Sequence, residues 1–184
     1  HHNSDRRQRQ MCIRDSCVIL SDYGQGVVYD SGAERIAEQA KKHNIPIIAD
    51  PKLTGLHRTH EVDWIIFQSR GFELMKRRIG EADDYTAAKS LIESYGWKHL
   101  VVLAGGNGVT IYSQNEDTVH APCTLPQLRQ VIGLIDAAVV AIAVSISNSF
   151  TVSDTALLTN AACECILGAA VSYTHLRAHE TYTY

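Results

Sequence analysis

The sequence predicts an α/β fold in which a mainly parallel sheet lies between two layers of helices. Three observations point there. The strand candidates are short, continuous apolar runs, as strands buried on both faces require. Amphipathic segments with helix-period apolar stripes alternate with them, the pattern of a sheet covered on both sides. The polar clusters Asp22, Asp50–Lys52, Gln68–Glu73 and Gly105–Gly108 follow the strands, and ligands of such sheets bind beyond the carboxyl ends of the strands.

Taken in order, Cys17–Leu20 reads as the first buried strand, ended by the turn residues Ser21 to Gly26. A helix follows from about Gly32 to His43, with Ser31 as its cap, Asn44 as its stop and Ala33, Ile36, Ala37 and Ala40 as its apolar stripe. Ile45–Ala49 is the second strand and Val62–Phe67 the third, with a polar Thr-, His- and Gly-rich loop between them. Helices are expected from about Gly71 to Gly80 and from Asp83 to Tyr95, the latter capped by Asp83 or Asp84 and stopped by Gly96. Leu100–Leu103 is the fourth strand. Val109–Tyr112 pairs antiparallel with it across a glycine turn, and Val119–Pro122 is a short edge strand. Asp136–Asn148 and Asp154–Ala170 read as two packed helices. The run Ala137–Val144 is apolar all round and partly β-branched, so periodicity alone leaves helix and strand both open there.

Bulk properties narrow the class. The 184 residues suffice for one domain with a real core, and 45% hydrophobic with 20% charged residues is a globular composition. A net charge of -3 with a pI near 6.3 argues against a general nucleic-acid surface, and Lys76-Arg77-Arg78 reads as a solvated helix face. The mean hydropathy is -0.11, and the longest apolar stretch is too short to span a bilayer. Five irregularly spaced cysteines fit a reducing compartment, here the cytoplasm, rather than a disulfide framework. The ends read as foreign to the fold. Residues 1–16 are polar and aperiodic, residues 171–184 have no turn logic or amphipathic face, and both resemble translated sequencing-adapter read-through. The fold is therefore expected within 17–170. His175-x-x-x-His179 has metal-ligand spacing but lies wholly in the second end segment.

Six places invite a chemical reading. Gly133-Leu134-Ile135-Asp136 puts a glycine turn and a carboxylate at a helix mouth, where unpaired N–H groups and the dipole favour negative charge and the carboxylate can take a proton from a hydroxyl. A turn with an N-terminal acidic residue accounts for the same residues without chemistry. Gly105-Gly106-Asn107-Gly108 alone reads first as an ordinary Asn-Gly hairpin turn, and otherwise as a loop that a nucleotide approaches closely. Asp50-Pro51-Lys52 ends a strand: Lys52 suits a phosphate, while Asp-Pro is also a plain strand-to-loop device. Glu73 suits contact with a hydrated Mg²⁺, or else favours its helix simply by lying in the first turn. Cys163-x-Cys165 cannot turn both thiols the same way on a helix, so core cysteines are expected. His57-x-x-His60 lacks a third ligand nearby in sequence.

Together these residues resemble the C-terminal part of the ribokinase-like (PfkB-type) carbohydrate kinases, most of all the heptose 7-phosphate kinase branch. Val18-Ile19-Leu20-Ser21-Asp22-Tyr23-Gly24-Gln25-Gly26 resembles that branch's strand and Ser-Asp-Tyr-Gly-Lys-Gly turn. Ile48-Ala49-Asp50-Pro51-Lys52 resembles its Val-Asp-Pro-Lys strand end. Gly105–Gly108 stands where the family has a Thr-x-Gly-x-x-Gly nucleotide loop, and Gln130–Asp136 where it reads Asp-x-Thr-Gly-Ala-Gly-Asp. Leu158–Ala162 resembles the later helix whose Asn, here Asn160, lies near the adenine.

The resemblance implies a three-layer ribokinase-like fold, truncated at the N-terminus, with ATP and Mg²⁺ as donor and a sugar or sugar phosphate as acceptor. It implies no nucleic-acid or membrane partner, and it is compatible with a homodimer. Asp136 would be the base, Gly133 and the following amides the anion hole, Gly105, Gly108, Asn160 and Lys52 nucleotide contacts, Asp22 a substrate contact, and Glu73 the metal contact. The chain departs from the family at Gln130 (for Asp), Ile132 (for Thr), Leu134 (for Ala), Ile135 (for Gly) and Leu103 (for Thr). Arg70 replaces the Asn of the Asn-x-x-Glu motif, so Glu73 alone survives. A β-branched residue at 135 disfavours positive φ and crowds a phosphate.

Overall fold

Strand parity decides which side of the sheet each residue serves. On β2 (Ile47–Asp50), Ile47 and Ala49 enter one core and Ile48 the other. On β3 (Trp64–Gln68), Ile65 and Phe67 oppose Trp64 and Ile66. On β4 (His99–Leu103), Leu100 and Val102 oppose Val101 and Leu103. Both sides are covered, which is why these strands read as unbroken apolar runs. The computed structural model describes residues 17–21, 32–127 and 132–169. Asp22, the turn to Gly26, the Ser31 cap, Gln130, His175, His179 and both end segments lie outside the described residues.

The six strands lie in sequence order, with β1 (Val18–Ser21), β5 (Val109–Ser113) and β6 (Val119–Ala121) completing the sheet. β1 to β4 are parallel; β5 is antiparallel to β4, and β6 to β5. Helices α1 (Gly32–Lys42), α2 (Ser69–Ile79) and α3 (Asp84–Tyr95) bury Ala40, Phe72, Met75, Leu91 and Ile92 on one face. Helices α4 (Leu134–Ser147) and α5 (Val152–Gly168) bury Leu134, Ala138, Ile142, Ala156 and Leu167 on the other. No helix among the described residues is long and apolar enough to cross a membrane.

Local signals set the helix ends. The Asp83 carboxylate accepts from Thr86 N at 2.8 Å, and Gly80 and Gly96 close α2 and α3 in the left-handed conformation at φ 77° and 69°. Helix α2 begins at Ser69, before the expected Gly71, because β3 runs straight into it. The ambiguous run Ala137–Val144 is helical, packed along α5, yet not buried all round: Val140 and Val144 are 61% and 45% exposed. Ile36, expected in the stripe of α1, is also exposed. Lys76 is not a freely solvated lysine, since its ammonium bridges Glu73 and Asp84. Cys163 is buried and Cys165 exposed, opposite sides as helix geometry requires; burial pushes the Cys163 thiol up to about 12.

His99 makes the fold sensitive to acid. Its ring stacks on Trp64 at 4.0 Å, and Nδ1 hydrogen-bonds with Ser113 Oγ at 2.9 Å. Burial lowers its pKa from 6.5 to about 4, against the pull of the Asp63 carboxylate. The unfolded chain therefore binds the extra proton first. This contribution is complete above pH 6.5 and is lost as pH falls towards 4, a change on the order of 3 kcal/mol. Denaturant melts should show stability falling across that window, and a His99→Gln variant should show a flatter slope there. Equal slopes would remove His99 as the cause.

Candidate functional site

Because β1 to β4 are parallel, their carboxyl ends share one edge of the sheet, at Ser21, Asp50, Gln68 and Leu103. β6 runs in the same sense as β4, so its end at Ala121 joins that edge: Leu103 pairs with Val109 and Val109 with Ala121. Two hydrogen bonds then carry the edge across to the helical layer. The segment after β6 is bound by α5, where Asn160 Nδ2 donates to Pro122 O at 3.1 Å. Cys163 of α5 reaches Leu134 O, in the first turn of α4, at 3.9 Å. The mouth of α4 thus opens at the same sheet end as the Gly105–Gly108 loop.

Gly133 caps that mouth in the left-handed conformation, φ 84°, with no side-chain cap. At this end Ala137 N donates to Gly133 O at 3.0 Å, and helix geometry leaves the amides of Leu134 and Ile135 without an acceptor inside the helix. A methyl group at Gly133 would meet nothing within 4 Å, which leaves the approach open. Asp136 lies exposed in the first turn, in the favourable field of the helix N-terminus. Leu134 is buried in the core beneath α4, and Ile135 packs partly against it. Both residues are helical; no positive φ is required at Ile135, so the backbone strain expected from its β-branch does not arise.

The glycine loop is built by backbone alone. Gly105–Asn107 forms a 3-10 turn in which Asn107 N donates to Ala104 O at 3.1 Å and Gly108 N to Gly105 O at 2.9 Å. Gly108, at φ 87° and ψ -150°, lies against the end of β6: a Cβ there would stand 2.0 Å from Ala121 O. The loop is a turn between antiparallel strands, as the hairpin reading has it, and the close approach at Gly108 is made by the chain's own backbone after β6.

The remaining candidates are placed as follows. Lys52 is exposed after β2, with its carbonyl accepting from Gly55 N at 2.8 Å. Glu73 lies in α2, directly after β3, and Lys76 donates to its Oε1 at 2.8 Å. A carboxylate so engaged suits contact with a hydrated Mg²⁺ through water better than direct ligation. Among the described residues no group of three or more His, Cys, Asp or Glu forms a metal site. Asn160 is nearly buried, and its amide nitrogen is spent on Pro122 O and on Glu164 Oε1 at 3.0 Å. Glu164 escaped the sequence reading. It takes Thr124 N at 2.6 Å and Thr124 Oγ1 at 3.0 Å, and these bonds, the backbone one foremost, hold its carboxyl below the usual carboxylate range. Its only signal in the sequence is its i+4 spacing from Asn160. Three surface clefts of about 240, 490 and 620 Å³ are lined by residues such as Lys41, Asp63, Lys98 and Gln114, and none of them includes the glycine loop or the α4 mouth.

No family model matches the chain. Among curated proteins it is similar to the bifunctional protein HldE of Aliivibrio fischeri, 25% identical over 163 residues, covering 88% of this chain and 34% of that protein. HldE of Actinobacillus succinogenes is 28% identical over 154 residues, covering 82% and 32%. The chain thus spans about a third of the length of these relatives. Among solved structures, a mutant of Escherichia coli phosphofructokinase-2 superposes with a TM-score of 0.71 at 17% identity, over 90% of this chain and 56% of that one. Ribokinase from Thermotoga maritima gives 0.67 at 21% identity, over 86% and 52%. These two likenesses are of fold.

Proposed function

We propose that this chain, which has the ribokinase-like fold and the ordered motifs of carbohydrate kinases of the heptose 7-phosphate branch, carries the phosphoryl-transfer part of an ATP-dependent cytoplasmic kinase. The acceptor is the hydroxyl of a sugar or sugar phosphate, a heptose phosphate first among them. One observation carries the reading: a helix mouth whose left-handed glycine cap supplies no side chain, followed by an acidic residue, opens at the sheet edge that also holds the glycine loop.

In this reading Asp136 receives the proton of the attacking hydroxyl as its oxygen bonds to the γ-phosphorus of ATP, while the bond from that phosphorus to the β–γ bridging oxygen breaks and ADP leaves. The amides of Leu134 to Asp136 face the charge that grows on the transferring group, already oriented by the helix. The Gly105–Gly108 loop lets the nucleotide approach the backbone, and Lys52 meets a phosphate from the β2 side. Asp22 belongs to the acceptor side. Mg²⁺ bound with ATP supplies charge neutralisation on the phosphates, with Glu73 touching its water shell.

A second reading has its own observation. Leu134 and Ile135 stand at the mouth where the family carries small residues, and Arg70 is exposed one turn ahead of Glu73. They favour a relative that binds nucleotide without transfer. ADP release by the chain, or by any longer protein that contains it, separates the two when Mg-ATP is offered with a panel of sugar phosphates. Acceptor-dependent release supports the kinase. Binding of ATP without release, with activity gained on Ile135→Gly and Arg70→Asn together, supports the second reading.

A further inference from the structure

We propose that Glu164 is a positioning residue for the nucleotide: with Asn160 it latches the Pro122–Thr124 segment against Gly108 and so sets the wall on which the nucleoside of ATP rests. The inference depends on the nucleotide reading above and adds to it a residue outside the family motifs.

The latch has four hydrogen bonds. Glu164 Oε1 accepts from Thr124 N at 2.6 Å and from Asn160 Nδ2 at 3.0 Å, Oε2 accepts from Thr124 Oγ1 at 3.0 Å, and Asn160 Nδ2 also donates to Pro122 O at 3.1 Å. The latched segment is in turn pressed on the glycine loop, since a Cβ at Gly108 would stand 2.8 Å from Cys123 N and 2.9 Å from Pro122 C. Loop and segment cannot move independently, and both are tied to α5. Lateral order along the sheet edge gives the latch its task. Lys52 follows β2, α4 packs over β2 and β3, and the glycine loop and latched segment follow β4 and β6. With Lys52 meeting the outer phosphates, as proposed above, a phosphate chain lying over the α4 mouth leaves its nucleoside on the β4–β6 side, against the latched wall. Asn160 then serves this wall through its structural bonds, its amide nitrogen being turned to Pro122 and Glu164.

The test compares ATP with inorganic triphosphate, each with Mg²⁺, in calorimetric titrations of the 184-residue chain and of Glu164→Gln. Gln keeps the size but loses the charge and one acceptor. ATP affinity should fall about tenfold, as expected when charge-assisted bonds holding a binding wall are lost. Triphosphate affinity should stay unchanged. A merely structural role would move the melting temperature and leave both affinities alone, or weaken both alike, and either result overturns the inference. If Glu164→Gln does not fold, Thr124→Ala removes one exposed arm of the latch. It should weaken ATP about two- to threefold with triphosphate again unaffected, and equal affinities there overturn the inference. Failure of the unaltered chain to bind ATP at all sinks the nucleotide reading itself, and this inference with it; intact ATP binding in Glu164→Gln sinks only the latch.

Discussion

Gly108→Ala should destabilise the protein by about 4 kcal/mol or more, an effect reserved for backbone and core disruption. Two costs combine. At φ 87° and ψ -150° the residue occupies a region essentially open to glycine alone. The added Cβ would also stand 2.0 Å from Ala121 O, with Cys123 N and Pro122 C inside 3 Å, and all three are backbone atoms that no rotamer change can move away. Relief requires β6 to part from β5, or the segment after it to leave α5. Gly133→Ala is the control. Its φ is equally left-handed, but a Cβ there meets nothing within 4 Å, so only about 1–2 kcal/mol of conformational strain is expected. Chemical denaturation of both variants measures the difference. Similar losses at the two sites would mean that the close packing of Gly108 on β6 is not what constrains the loop.

Asp136→Asn should lower phosphoryl transfer by about 10²–10⁴-fold. The side chain is exposed in the first turn of α4. The amide is nearly the same shape but cannot accept a proton from the acceptor hydroxyl at neutral pH. Nucleotide affinity should persist or rise slightly, because a negative charge beside the phosphates has been removed. Steady-state ADP release and ATP titration on the same preparation separate the two quantities. Turnover unchanged by the substitution removes Asp136 as the base.

Much of the fold was legible because burial on both faces leaves unbroken apolar runs, and because Asp83, Gly80 and Gly96 mark helix ends with local chemistry. The strand order read along the chain is the one found, down to the antiparallel return across the glycine turn, and the fold superposes on those of phosphofructokinase-2 and ribokinase. The exposure of Val140 and Ile36 was not legible, since helix periodicity reports a stripe without saying what lies opposite it. Nor were the conformations at the site. The sequence marks Ile135 as a strained replacement for glycine, whereas the positive φ falls on Gly133 alone and Ile135 sits in ordinary helix. The Glu164 latch and the commitment of Glu73 to Lys76 depend on partners 40 and 3 residues away. Only the second lies within the range of local patterns, and the sequence reading passed over it because Lys76 sits in a basic run.

The proposed nucleotide site is the carboxyl edge of the sheet, between the Gly105–Gly108 loop and the mouth of α4. An amide-resolved NMR titration of the chain with Mg-ATP tests this most directly. The predicted result is saturable shifts concentrated at Gly105, Gly106, Gly108 and Leu134 to Asp136. Silence at these amides up to millimolar ATP, or shifts confined to the clefts around Lys41, Asp63 and Lys98, would contradict it.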